Sequence, residues 1–94
     1  MARATKTHPE DYDLARIINN AVQFTAYLRV GPFEKYVERG FATYEDARTA
    51  ADRLERDHAT NCRKALVYAI SKANVSVPVS DHLLAVAAEL RAAA

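Results

Sequence analysis

The sequence predicts a small α+β domain: a three- or four-stranded mixed sheet made of a hairpin, a crossover helix and a third strand, with N- and C-terminal helices. Three observations carry that prediction. The apolar period changes from helical to two at Val22. It breaks at Gly31-Pro32 and resumes as far as Phe41. A capped helix start at Thr43 then leads to Ala65–Ile70, a run that is apolar on both faces.

Residues 1–8 are polar and unpatterned and read as a flexible tail, so residues 9–94 form the domain. Pro9 suits a first helical turn, and Glu10, Asp11 and Asp13 suit the positive end of a helix dipole. Leu14, Ile17, Ile18 and Ala21 follow at helical spacing, and Asn19-Asn20 is a stop. Val22, Phe24, Ala26, Leu28 and Val30 then alternate with Gln23, Thr25, Tyr27 and Arg29, the pattern of a half-buried strand. A two-residue II′ turn at Gly31-Pro32 would set Leu28 against Lys35, Ala26 against Val37 and Phe24 against Arg39 on the core face. On the other face Tyr27 would meet Tyr36, Arg29 would meet Glu34, and Thr25 would meet Glu38. A longer loop or a bulge would shift these pairs, and a slip of one residue would exchange the faces.

Thr43-Tyr44-Glu45-Asp46 opens the next helix with a threonine cap and acids in the first turn. Tyr44, Ala47, Ala51, Leu54 and His58 make its apolar side, and Thr60-Asn61 is its expected end. As a crossover, this helix makes the second strand and the strand at 65–70 run parallel, in the order 2-1-3. Asn74–Val79 adds a short edge strand stopped by proline. Ser80 caps a last helix whose apolar side is Leu83, Leu84, Val86, Ala87 and Leu90.

Half of the 94 residues are apolar and 27% are charged, the balance of one globular domain. No apolar run reaches the length of a membrane span, which predicts a cytoplasmic protein with no membrane partner. A single cysteine, Cys62, agrees with a reducing compartment. The formal charge is +1, but the strand segments are basic and the 43–62 helix is acidic.

The residues that carry chemistry are few. His58 and Cys62 stand four apart, the spacing of a Cys–His nucleophile pair on one helix, but Thr60-Asn61 should break the helix between them. They read better as a histidine at the core edge and a small buried thiol. His8 and His82 have no ligand spacing around them, and two glycines are too few for a phosphate loop. The expectation is a protein that is not an enzyme and has no cofactor, no metal and no small-molecule substrate. Tyr27 and Tyr36, with Arg29 beside them, make an aromatic and basic sheet face, and Arg63-Lys64 add charge where the third strand begins. With three helices and one sheet, helices covering both faces would leave those tyrosines as hairpin packing.

Gly40-Phe41-Ala42-Thr43-Tyr44-Glu45-Asp46-Ala47 resembles the strand-to-helix corner of the arm-type DNA-binding domain of phage tyrosine recombinases, a likeness that covers about residues 24–59. That family lays a small antiparallel sheet in the major groove with the helix packed behind it. It has three strands before the helix, whereas this chain has two before and one after. The resemblance implies a phage or bacterial setting and makes Tyr27, Arg29 and Tyr36 the groove-facing residues. The expected function is therefore a small non-catalytic nucleic-acid-binding accessory protein that acts through a sheet face or basic strand edge, with Tyr27, Arg29, Tyr36, Arg63 and Lys64 as contacts. The alternative is a protein-interaction module, a homodimer or a small regulator or inhibitor of a larger complex. It draws on the apolar third strand and the Leu83–Leu90 stripe.

Overall fold

The computed structural model describes residues 8–58 and 64–93. They form α1 (Pro9–Asn19), β1 (Gln23–Arg29), β2 (Lys35–Phe41), α2 (Tyr44–His58), β3 (Leu66–Ile70), β4 (Ser76–Pro78) and α3 (Asp81–Ala93). Each helix begins where its local chemistry asks. Pro9 stands in the first turn of α1, and the Asp11 carboxylate accepts from the His8 amide at 3.4 Å. The Thr43 hydroxyl accepts from the Asp46 amide at 3.2 Å, and the Ser80 hydroxyl accepts from the Leu83 amide at 3.1 Å.

The strands make one four-stranded sheet in the order β2-β1-β3-β4. β2 and β3 run parallel to each other, as a crossover through α2 requires, but β1 lies between them. Every hydrogen-bonded pair is therefore antiparallel, and the sheet is not mixed. Pro78 ends β4 at the sheet edge, where a missing amide costs no ladder bond.

All three helices lie on one side of this sheet. α2 packs across β1, β2 and β3, α1 packs on β3 and β4, and α3 packs on α1. The core is one cluster between the layers, with Phe24, Ala26 and Leu28 from β1, Val67 and Ala69 from β3, and Val77 from β4. Facing them are Ala15 and Ile18 of α1, Ala47, Ala50, Ala51 and Leu54 of α2, and Leu83, Val86 and Ala87 of α3. Alanine recurs on both sides of the contact, so the helix axes lie close to the sheet and small side chains fill the space. The Leu83–Leu90 stripe is spent inside the chain: Leu83, Val86 and Ala87 are buried and Leu90 is half-buried against the core. Asn19 bridges the two terminal helices, donating to the Ala87 carbonyl at 3.0 Å and accepting from Arg91. His82 Nε2 lies 3.1 Å from the Asp11 carboxylate and joins their starts.

The hairpin departs from a two-residue turn at two places. Its connection is three residues, Gly31-Pro32-Phe33, with the Val30 amide donating to the Glu34 carbonyl at 3.0 Å. Gly31 lacks the positive φ that a II′ turn needs at its first position. The register shifts by one, so Tyr27 pairs with Val37, Leu28 with Tyr36 and Arg29 with Lys35. The second departure is a bulge. Phe24 pairs with Phe41 while Ala26 pairs with Glu38, so Arg39 and Gly40 together oppose Thr25. Gly40 takes φ +86°, the left-handed conformation that glycine allows without strain. The longer loop thus exchanges the two faces of β2 relative to β1, and the bulge turns Phe41 back toward the core.

Candidate functional site

With the helices on one side, the other side of the sheet is bare among the described residues. Its residues are the alternate positions of each strand. β1 supplies Gln23, Thr25 and Tyr27, β2 supplies Lys35, Val37 and Arg39, and β3 supplies Tyr68 and Ile70. They line a shallow concavity of about 520 Å³, closed at the far edge by Asn74 of the β3–β4 turn and Ser76 of β4. That turn is well held. Asn74 takes φ +65°, and its amide donates to the Ser71 carbonyl at 2.9 Å. The Ser71 hydroxyl accepts from the Val75 amide at 3.0 Å.

Tyr27 and Tyr68 lie diagonally across β1 and β3 and meet edge to face, with centroids 6.0 Å apart and an interplanar angle of 85°. Val37 and Ile70 flank them, and Leu66, the cross-strand partner of Tyr27, leaves 43% of its surface in solvent. The floor thus sets Tyr27, Val37, Tyr68 and Ile70 beside the polar Gln23 and Thr25, on a hydrogen-bonded ladder rather than on loops.

The charge on this face follows from the hairpin register. Arg29, Lys35 and Arg39 all share it with Tyr27. A two-residue turn would instead have put Arg29 there with Glu34 and Glu38. In the structure Glu38 lies on the helix side and pairs with Arg53 of α2, and Glu34 accepts from the Tyr36 hydroxyl at 2.6 Å. Among the described residues, Lys35 and Arg39 have no carboxylate within 4.0 Å, whereas Arg16, Arg48 and Arg53 are paired. The Arg29 guanidinium reaches over the hairpin loop and donates to the Gly31 carbonyl at 3.1 Å and the Pro32 carbonyl at 3.2 Å.

Of the residues the sequence singles out, Tyr27 and Arg29 stand together on the bare face. Tyr36 does not join them, because the register shift turns it to the helix side, where its ring stacks on His58 at 3.8 Å and 10°. Its phenol is raised above its ordinary pKa, first by the hydrogen bond to Glu34, since that carboxylate favours the protonated partner. Lys64 is exposed just before β3, and Arg63 lies outside the described residues. So does Cys62, which leaves the His58–Cys62 pair undescribed, and the Thr60-Asn61 helix end lies in the same segment.

Lys35, Arg39 and Tyr68 are the members of the face that sequence reasoning missed. A two-residue turn places Lys35 and Arg39 on the core side, although a lysine and an arginine at core positions are themselves a sign against that register. Tyr68 sits in a run apolar at every position. Its face is marked only by the contrast between the small Ala65, Val67 and Ala69, all buried, and the larger Leu66, Tyr68 and Ile70 that alternate with them.

Among the described residues no group of three or more histidine, cysteine, aspartate or glutamate side chains is placed to hold a metal ion, and no helix is long and apolar enough to cross a membrane. No family model matches the chain, and no curated protein or solved structure matches it.

Proposed function

We propose that this chain is a small non-catalytic nucleic-acid-binding accessory protein that uses the bare face of its sheet. The observation that carries the reading is the hairpin register, which gathers Arg29, Lys35 and Arg39 around Tyr27 and Tyr68 and turns Glu38 to the opposite side. Phosphate contacts supply most of the affinity in such complexes, and aromatic rings hold bases by stacking. A face with unpaired cations around an aromatic floor offers both, and the near-neutral charge of the whole chain matters less than its segregation onto that side.

The test is binding to labelled DNA by fluorescence anisotropy across a salt titration. Affinity should fall linearly with salt on logarithmic axes. Replacing Lys35 or Arg39 with alanine should flatten that slope by about 0.7–0.9 for each phosphate the side chain neutralises. Absence of binding at low salt, or slopes that ignore both substitutions, would sink the proposal.

The second reading, a protein-interaction module, now falls on the same surface, because α3 buries its own apolar stripe. Its support is Leu66, left 43% exposed beside Tyr68 and Ile70. In that case Leu66→Asp should split a self-associated species in sedimentation while Arg39→Ala leaves it whole.

A further inference from the structure

We infer, on the basis of that reading, that the nucleic acid taken by this face is single-stranded, and that Phe33 at the hairpin tip is a stacking residue that extends the Tyr27–Tyr68 floor. Phe33 is 99% exposed, so its ring contributes nothing to the core. The loop that carries it is nevertheless fixed. Arg29 holds the carbonyls of Gly31 and Pro32, the Val30 amide holds the Glu34 carbonyl, and Glu34 is held by Tyr36. A lone exposed aromatic needs no explanation by itself. This one sits beside a second depression of about 270 Å³ that shares Tyr27 and Lys35 with the larger concavity, so the two make one track. Arg29 and Lys35 line the smaller depression together with Glu34, and Lys35 and Arg39 line the larger one.

The shape of the face favours an unpaired strand. Four strands at the usual spacing of about 4.8 Å span roughly 14 Å between outer backbones, whereas the major groove is about 12 Å wide. The whole face is therefore too broad to enter a duplex. A duplex also keeps its base faces stacked inside, so the rings of Tyr27 and Tyr68 and the aliphatic Val37 and Ile70 would have no base face to pack on. A single strand exposes the faces of its bases to such a floor and its phosphates to Arg29, Lys35 and Arg39. Only the hairpin tip could enter a groove as a two-stranded ribbon, since β3 pairs with β1 no further than Tyr27.

The experiment compares a labelled oligothymidylate of about a dozen nucleotides with the duplex it forms with its complement, using wild type, Phe33→Ala and Arg39→Ala. The single strand should bind more tightly than the duplex, and Phe33→Ala should weaken it by about 5- to 150-fold, as loss of one stacked base does. Because Phe33 is 99% exposed, the variant should keep the wild-type melting temperature, which separates a loss of binding from a loss of fold. Duplex binding as tight as single-strand binding, still weakened by Arg39→Ala, would overturn this inference and leave nucleic-acid binding standing. Phe33→Ala binding as well as wild type would likewise overturn the role of the tip. No binding to either probe would remove both.

Discussion

Replacing Gly40 with alanine tests the bulge that lets Arg39 face outward while Phe41, one residue beyond Gly40, faces the core. No heavy atom lies within 4 Å of where the new Cβ would stand, so the substitution causes no clash. What it disturbs is the backbone, because Gly40 holds φ +86°. For an L-residue that conformation costs roughly 1–2 kcal/mol. In a domain of this size about 1 kcal/mol moves the melting temperature by roughly 4–8 °C, so Gly40→Ala should melt about 4–16 °C below wild type. Gly31 is the internal control. It too has open space around it, but its φ is ordinary, and alanine there restricts the unfolded chain. Gly31→Ala should therefore be neutral or more stable by up to about 1 kcal/mol. Gly40→Asn should fall between wild type and the alanine variant, since asparagine tolerates the left-handed region. The assay is thermal unfolding followed by circular dichroism, with urea unfolding as a check. If Gly40→Ala melts with wild type, or if Gly31→Ala loses as much, Gly40 does not hold a left-handed bulge, and the placement of Arg39 outward with Phe41 turned back to the core fails.

Three further outcomes follow from the packing and the caps. Leu28 is fully buried between the sheet and the helices, so Leu28→Ala should cost about 2–5 kcal/mol in denaturant unfolding. Ser80→Ala removes the hydroxyl that accepts from the Leu83 amide and should cost about 1 kcal/mol, read as a lower urea midpoint with unchanged slope. Glu34→Gln removes the carboxylate that raises the Tyr36 phenol, so Tyr36 should ionise at lower pH than in wild type, followed by phenolate absorbance. The sign is fixed by linkage. A raised phenol favours folding below its ordinary pKa, and that contribution disappears as the pH rises through the folded value. Wild type should therefore lose stability relative to Glu34→Gln only in that alkaline range.

The element order was legible because each element carried its own local signal. The helical spacing after Pro9, the alternation from Val22, the Thr43 and Ser80 caps and the proline that ends β4 all act within a few residues. The central place of β1 was legible too, because a crossover helix forces β2 and β3 to run parallel. The hairpin register was not, since a three-residue loop and a two-residue turn share the same Gly-Pro signal, and the second glycine hid a bulge inside what read as an uninterrupted strand. The cost of that single slip was functional. It put Tyr36 and two carboxylates on the bare face in place of Lys35, Val37 and Arg39. Tyr68 was missed for a different reason: an apolar run gives no alternation, and which half of it meets the helices is decided by tertiary packing against alanines.

The register also explains how so nearly neutral a chain presents a basic face. Glu38 is committed to Arg53 and Glu55 to Arg48, with Glu55 also accepting from the Ala65 amide at 3.0 Å where β3 begins. Glu38 of β2 and Glu55 of α2 are thereby held on the helix side, and Lys35 and Arg39 are left on the other.

Adding an unlabelled oligonucleotide to nitrogen-labelled protein and mapping the chemical-shift changes reads the binding face residue by residue. Shifts should concentrate in the amides of Thr25, Tyr27, Val37, Arg39 and Tyr68, with α1 and α3 unmoved. Shifts centred on the exposed sides of those helices, with the sheet silent, would contradict binding through the sheet face.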